Sequence, residues 1–282
     1  MEMEWDAKKY ARDFSFVAQY GNDVLTLLDV EEGSSVLDLG CGNGALTNRL
    51  SQRGIRAIGL DASKELLHLA RHTYPDIPFI QADATDFTLE ERVDAVFSNA
   101  VLHWIDEEKQ PQLLQCVHAA LKDKGQFVFE FGGAGNNRRI HRALDAAFRE
   151  KGRVYKMPFY FPTIGQYAAL LEQAGFKVTD MHLFDRMTRL NGENGLEDWI
   201  YMFIKTPFER MTQGEKEELT RRAVDSLRQE LCRDCLLYTS ADDAPRRPAG
   251  RTGAALRRAG RRPGRPGDGG RAVRAGNPAG SV

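Results

Sequence analysis

Ser35-Val36-Leu37-Asp38-Leu39-Gly40-Cys41-Gly42-Asn43-Gly44 is the stretch that decides the fold. Val36, Leu37 and Leu39 are apolar and suit a buried strand, and the run then breaks at three glycines spaced two apart. Ala45-Leu46-Thr47-Asn48-Arg49-Leu50 follows as a helix, with Leu46 and Leu50 four residues apart on one face. Strand, glycine turn and helix in that order open an α/β nucleotide-binding unit. Glycine turns tightly and lets a ligand approach the backbone with no Cβ in the way. The helix start adds N–H groups without intrahelical partners, which suit a polar or anionic ligand. A second strand, Ile55-Arg56-Ala57-Ile58-Gly59-Leu60, ends on Asp61. A carboxylate there, roughly 20 residues past the glycines, suits the hydroxyls of a bound ribose. These residues together point to an adenosine-containing cofactor.

Two such cofactors compete. Gly40-Cys41-Gly42-Asn43-Gly44-Ala45 fits the G-x-G-x-x-A form of a dinucleotide fingerprint, as in an NAD-dependent oxidoreductase. Read from Asp38, the same stretch is D-x-G-x-G-x-G and closely resembles the first motif of class I S-adenosylmethionine-dependent methyltransferases. A carboxylate at the end of the first strand repels a pyrophosphate and favours the ammonium and sulfonium charges of S-adenosylmethionine. No recognisable catalytic Lys or Tyr-x-x-x-Lys accompanies the dinucleotide reading. A protein that binds the cofactor without catalysis is a third reading.

The methyltransferase resemblance implies roles for particular residues. Asp38, Gly40, Cys41, Gly42 and Gly44 are then expected to hold the amino-acid end of the cofactor, and Asp61, with Ala62 beside it, the ribose. Asp83, with Ala84 beside it, is expected at the adenine amino group, after the short strand Phe79-Ile80-Gln81; Asp86 is the nearby alternative. Val93-Asp94-Ala95-Val96-Phe97-Ser98 reads as the fourth strand, with Asn99-Ala100-Val101-Leu102-His103-Trp104 at its carboxyl end, where ligands lie in open α/β sheets. Asn99 is placed with the cofactor, Trp104 and Tyr10 at the substrate pocket, and His103 as the candidate general base, since its ordinary pKa suits one. A histidine hydrogen-bonded for structure is the competing reading, because many methyl transfers need only proximity and alignment.

Further along, helices are expected near Trp5–Leu28, Ser63–Arg71 with Ser63 as N-cap, Glu107–Leu121, Ile164–Ala174 with Thr163 as cap, Leu196–Ile204 and Glu215–Leu231. Lys122-Asp123-Lys124-Gly125 reads as a turn before a fifth strand, Gln126–Phe131, and Phe176–Phe184 as a long sixth strand. Arg138, Arg139, His141 and Arg142 open a helix and suit a substrate carboxylate or simply a solvated face; Pro158-Phe159-Tyr160-Phe161-Pro162 is expected on the substrate side. The set D-L-G-C-G-N-G, Asp61, Q-A-D and S-N-A-V-L-H-W resembles the trans-aconitate methyltransferase-like group of small-molecule enzymes. In that group the last motif resembles N-A-V-F-Q-W, so His103 departs from the pattern.

The chain of 282 residues has a formal net charge of −1, but ten arginines and three aspartates from Leu236 on give that segment +7 and leave −8 to the first 235 residues. An acidic body argues against nucleic acid as substrate. The four cysteines, 41, 116, 232 and 235, form no disulfide framework, and no metal site is expected from the lone C-x-x-C at 232–235. The N-terminus lacks an apolar signal region and no run approaches a membrane span, so a cytoplasmic monomer or weak homodimer is expected, with no membrane partner.

From Ala241 to Val282, 33 of 42 residues are Ala, Arg, Gly or Pro. Such a segment cannot bury a core and is expected to be disordered. The change falls at Cys235-Leu236-Leu237-Tyr238-Thr239-Ser240, which resembles one reading frame of a transposon end used in sequencing libraries; the tail then reads as an assembly chimera, with a basic nucleic-acid-binding arm as the alternative. The expected architecture is therefore α/β, a Rossmann-like class I methyltransferase sheet with helices on both faces and helical caps. It spans residues 1–235, with an N-terminal cap about 5–28, a cofactor-binding core about 33–135 and a C-terminal cap and sheet portion about 136–235. In class I methyltransferases the sheet ends with an antiparallel strand between the fifth and sixth, and here that strand is expected to be absent, replaced by a disordered tail at 236–282.

Overall fold

The computed structural model describes residues 16–233 except 187, 189, 191 and 193, together with 236–237 and 250–258. The elements in chain order are α1 (Phe16–Leu25), β1 (Ser35–Leu39), α2 (Ala45–Ser51), β2 (Arg56–Asp61), α3 (Lys64–Thr73), β3 (Phe79–Gln81), β4 (Val93–Asn99), α4 (Gln110–Ala120), β5 (Leu121–Gly132), α5 (Arg138–Glu150), α6 (Ile164–Gln173), β6 (Phe176–Asp185), α7 (Gly195–Phe203), α8 (Gln213–Leu231), β7 (Cys232–Arg233), β8 (Leu236–Leu237) and β9 (Gly250–Arg258). Seven strands form one sheet in the order β3-β2-β1-β4-β5-β9-β6, and β7 pairs antiparallel with β8 apart from it. The first five strands of that order are parallel, with Leu37 opposite both Ile58 and Val96 and Phe97 opposite Val128.

Parallel strands buried on both faces read as continuous apolar runs. β1 and β4 do so, and all of Val36, Leu37, Leu39, Ala95, Val96 and Phe97 are buried. One face packs against α1 and α2 through Val24, Leu25, Leu46 and Leu50. On β5 the alternate residues Phe127, Phe129 and Phe131 form an aromatic row, with ring centroids 4.6 and 5.7 Å apart. Tyr167 of α6 covers that row, 4.8 Å from Phe131, so α6 sits on the sheet.

The described parts of 16–131, 162–182 and 252–258 form one compact unit, and those of 132–161 and 183–251 another. The first holds the sheet. In the second, α5 buries Ile140, Leu144, Ala147 and Phe148, and α8 buries Leu219, Ala223, Val224 and Leu227. The ion pair Arg222–Glu150 at 2.9 Å links these helices at the surface, and Lys151–Glu218 at 2.8 Å and Arg153–Glu215 tie the residues just after α5 to α8. No helix among the described residues is long and apolar enough to cross a membrane.

Two expectations are corrected. The sheet does not lack its last strand: β9 lies between β5 and β6. The physical reason is that pairing is a backbone property. An open slot between two strands presents unpaired N–H and C=O groups, and any extended segment that reaches it and keeps its own N–H groups can fill it. Proline cannot donate to a ladder, and residues 249–262, between Pro248 and Pro263, are the longest proline-free run of the tail. The remainder of 238–249 and 259–282 lies outside the described residues, as do the first fifteen. The second correction concerns β5, which begins at Leu121 rather than Gln126. Leu121 pairs with Val93, the register then shifts, and Gln126 pairs with Ala95. Lys122 Nζ meets Asp94 Oδ1 at 2.8 Å and Lys124 takes a left-handed φ of 65°, so residues 122–125 make an irregularity within the ladder rather than a turn before it.

Candidate active site

The glycine turn follows from sterics. Gly40, Gly42 and Gly44 have φ of 75°, 55° and 78°, a region that side chains disfavour. At Gly40 a Cβ would lie 2.2 Å from Cγ2 of Val101. The N–H groups of Gly40 and Cys41 both donate to the Leu60 carbonyl, at 2.7 and 3.0 Å, which ties the turn to the end of β2. Gly42 differs: a Cβ there would meet no atom within 4 Å, so its backbone faces open space.

Asp61 completes the turn. Its Oδ2 accepts from the Gly42 N–H and its Oδ1 from the Ser63 N–H, both at 2.8 Å. Burial raises its pKa, and these backbone donors oppose that. Asp38, behind the turn, is buried, and its Oδ2 accepts from Thr47 Oγ1 at 2.6 Å. Burial lifts Asp38 to about 7, with the Thr47 bond opposing and the Asp61 charge adding. Cys41 is buried too; burial, then the charges of Asp38 and Asp61, push its thiol well up, so it stays protonated.

A cavity of about 330 Å³ opens at the carboxyl ends of these strands. Gly40, Gly42, Asp61, Ala62, Asp83, Ala84, Asn99 and Trp104 line it, and the sequence singled out every one of them. Asp38, Cys41 and Gly44 stand behind the lining. Asp83 is exposed, and its Oδ1 accepts from the Thr85 N–H at 2.8 Å and the Thr85 hydroxyl at 2.7 Å, which hold its carboxyl below the usual range. Asp86 donates its N–H to the Asp83 carbonyl at 2.9 Å and does not line the cavity.

Asn99 ends β4 nearly buried, and Ala100 next to it takes a left-handed φ of 60°, fixed by its N–H on the Glu130 carbonyl at 2.7 Å. The following 3₁₀ turn, Leu102–Trp104, carries Trp104 to the cavity. His103 is not among the lining residues; its ring stands 5.5 Å from that of Trp104. Gly21 of α1 passes close by, since a Cβ there would lie 2.5 Å from Leu46 and 3.2 Å from Asn99. The N-terminal helix thus reaches the neighbourhood of Asn99, while Tyr10 lies outside the described residues.

Residues beyond the sequence expectation also contribute. Glu65, Leu66, Val101 and Ile105 line the cavity, and Ser63 Oγ donates to Glu65 Oε2 at 3.1 Å while capping α3 through the Leu66 N–H at 3.2 Å. Ser63 is legible as a cap, but the helix start it makes is also a wall. Gln110 had no local signal. Buried, it donates to the carbonyls of Leu102 and Ile105 at 2.9 and 2.7 Å and accepts from the Tyr167 hydroxyl at 3.0 Å, so it anchors the turn that carries Trp104.

Among the described residues the lining holds three carboxylates, Asp61, Glu65 and Asp83, and no Lys or Arg. Such a wall disfavours a pyrophosphate and suits a ligand with hydroxyls and positive charge. The open backbone at Gly42, the aspartate at the end of β2 and this charge fit S-adenosylmethionine.

Comparison with known proteins agrees. Residues 36–125 match a family model described as a methyltransferase domain. An uncharacterized methyltransferase of Schizosaccharomyces pombe is 32% identical over 212 residues, which cover 71% of this chain and 80% of that one. A trans-aconitate 2-methyltransferase of Rhodococcus jostii is 30% identical over 267 residues, 90% of this chain and 96% of that one. Among solved structures, a putative methyltransferase from Bacillus halodurans superposes with a TM-score of 0.57 at 17% identity, covering 88% of this chain and all of that one. Neither the oxidoreductase reading nor the non-catalytic one gains support. The chain belongs to the class I S-adenosylmethionine-dependent methyltransferases, and S-adenosylmethionine is its cofactor.

Proposed function

We propose that this chain methylates a carboxylate or hydroxyl oxygen of a small molecule. The observation that carries this reading is the cavity in which the Gly42 backbone and Asp61 are hydrogen-bonded to each other among carboxylates, beside Asn99 and Trp104. When bound, S-adenosylmethionine supplies an electrophilic sulfonium methyl group. On this reading Asp61 takes the ribose hydroxyls, Asp83 and Ala84 border the adenine, and Asp38 acts on the cationic amino-acid end through its field. Asn99 and Trp104 border the reacting centre, where alignment rather than acid–base chemistry supplies most of the rate. His103, off the cavity lining, is kept as a base only if it moves towards the acceptor. The Rhodococcus jostii relative is named for trans-aconitate, a tricarboxylate, which makes carboxylates the first acceptors to try.

The test has two parts. A thermal melt with S-adenosylhomocysteine should rise, and Asp61→Ala should weaken the binding at least about tenfold, since charge-assisted hydrogen bonds carry about 1.5–3 kcal/mol. Labelled methyl transfer should then be measured across tricarboxylates, dicarboxylates and hydroxylated small molecules. A rise with NADH alone, or undiminished binding by Asp61→Ala, would overturn the assignment of the site.

A further inference from the structure

The second unit contains a buried histidine that the cofactor cavity does not use. His141 lies in the first turns of α5 and is 6% exposed. Its Nδ1 is 2.7 Å from the Tyr155 hydroxyl. The phenol is the better donor and the imidazole nitrogen the better acceptor, so the hydroxyl donates to Nδ1. Burial holds His141 at about 4, below its ordinary value, so the ring is neutral near pH 7 and its one hydrogen is on Nε2. Nε2 is buried, and among the described residues no group accepts from it. The rings of Phe159 and Phe161 stand 5.6 and 6.0 Å from the imidazole and are stacked on each other at 5.3 Å. Phe161 also lies against Gly132, where a Cβ would come within 2.5 Å of the ring. A buried N–H without an acceptor carries the full cost of its desolvation, and a ligand oxygen placed on it removes that cost.

The surroundings select the kind of oxygen. The first turn of α5 holds Arg138 and Arg139 and no acidic residue, and its N-cap Asn137, at φ 53°, makes no side-chain capping bond. A helix start with this composition favours negative charge. Aromatic ring edges are electropositive as well. We propose that the start of α5 is a binding site for a small carboxylate, one oxygen of which accepts from His141 Nε2–H. Arg138 and Arg139 supply attractive charge, and Phe159 and Phe161 wall the body of the ligand. Tyr155, Phe159 and Phe161 all come from residues 153–162, which belong to no helix or strand, and Val154 and Met157 on that segment are exposed. No regular backbone ladder holds this segment, so it gives way enough to admit the ligand oxygen to Nε2 while its aromatic rings stay as the wall. The site is independent of the methyl-transfer reading: its ligand is either the methyl acceptor itself or a separate carboxylate.

The test uses the full chain labelled with ¹⁵N-histidine, titrated with succinate, trans-aconitate and neutral succinamide. At least one carboxylate should shift the His141 Nε2–H resonance and bind, while succinamide does neither. His141→Phe should weaken that carboxylate about 10- to 100-fold, and His141→Gln, which restores a donor, should recover part of the loss. Arg138→Gln, on the helix surface, should weaken it a few-fold without touching the buried cluster. S-adenosylhomocysteine affinity should be unchanged in all three variants, which shows that the fold is intact and separates this site from the cofactor cavity. Methylation of the bound carboxylate identifies it as the acceptor; binding without product identifies a separate ligand, and both keep the site. No carboxylate binding, equal binding of succinamide, or full affinity in His141→Phe overturns the proposal.

Discussion

At the scale of single residues, Asp38 and Asp61 show one carboxylate type in two environments. Asp61 lines the cavity with its oxygens set by two backbone donors, while Asp38 is buried behind the turn on Thr47. Because burial raises Asp38 from 3.8 to about 7, the folded chain holds a proton there that the unfolded chain has lost. Its contribution to stability is therefore complete below pH about 4 and is lost as pH rises through about 7. Melting points between pH 5 and 8 should fall more steeply with pH in the wild type than in Asp38→Asn. Affinity for a cationic cofactor should run the other way, rising with pH as Asp38 ionises and remaining flat in the variant. Both aspartates were legible in the sequence because Asp38 lies near the carboxyl end of β1, just before the glycine turn, and Asp61 ends β2. Their different exposure was not, since it depends on packing by residues far along the chain.

The elements make sharper distinctions. Gly40 and Gly42 look alike in the motif but meet different surroundings. Gly40→Ala would force a methyl into Val101 at a left-handed φ and should cost about 3 kcal/mol or more, read as a large fall in melting temperature. Gly42→Ala meets open space and should cost only about 1 kcal/mol, yet weaken S-adenosylhomocysteine by covering the cavity floor. Gln110→Ala leaves the Leu102 and Ile105 carbonyls without their buried donor, and a loss of about 2–3 kcal/mol should appear in a chemical melt. The strand, glycine turn and helix order was readable because each piece is local. The support from Gln110 and Tyr167 was not, because a buried hydrogen bond spanning 57 residues leaves no periodic trace. The Lys122–Gly125 stretch misled for a related reason: its composition suits a turn, and only the partner strand shows that Leu121 is already paired.

For the whole molecule the informative element is β9. Composition alone places residues 241–282 outside any core, yet Gly250–Arg258 completes the sheet between β5 and β6. Pairing of backbones, which composition does not report, decides that position. Amides of 252–258 should exchange with solvent more slowly than free peptide, and a chain ending at Leu231 should melt at lower temperature. Solvent-like exchange throughout 252–258 would remove β9 from the sheet and restore the expectation of an open slot. The order in which the strands are made has its own consequence. β6 leaves the ribosome about 65 residues before β9 begins, and β5 earlier still. At about 5–20 residues per second, the nascent chain carries two facing, unpaired strand edges for about 3–13 s before the piece that joins them exists. Yield from cells is then set in that interval, by chaperones that shield the gap or by neighbouring chains that enter it, and a variant that leaves the finished enzyme no less stable can still lower its recovery.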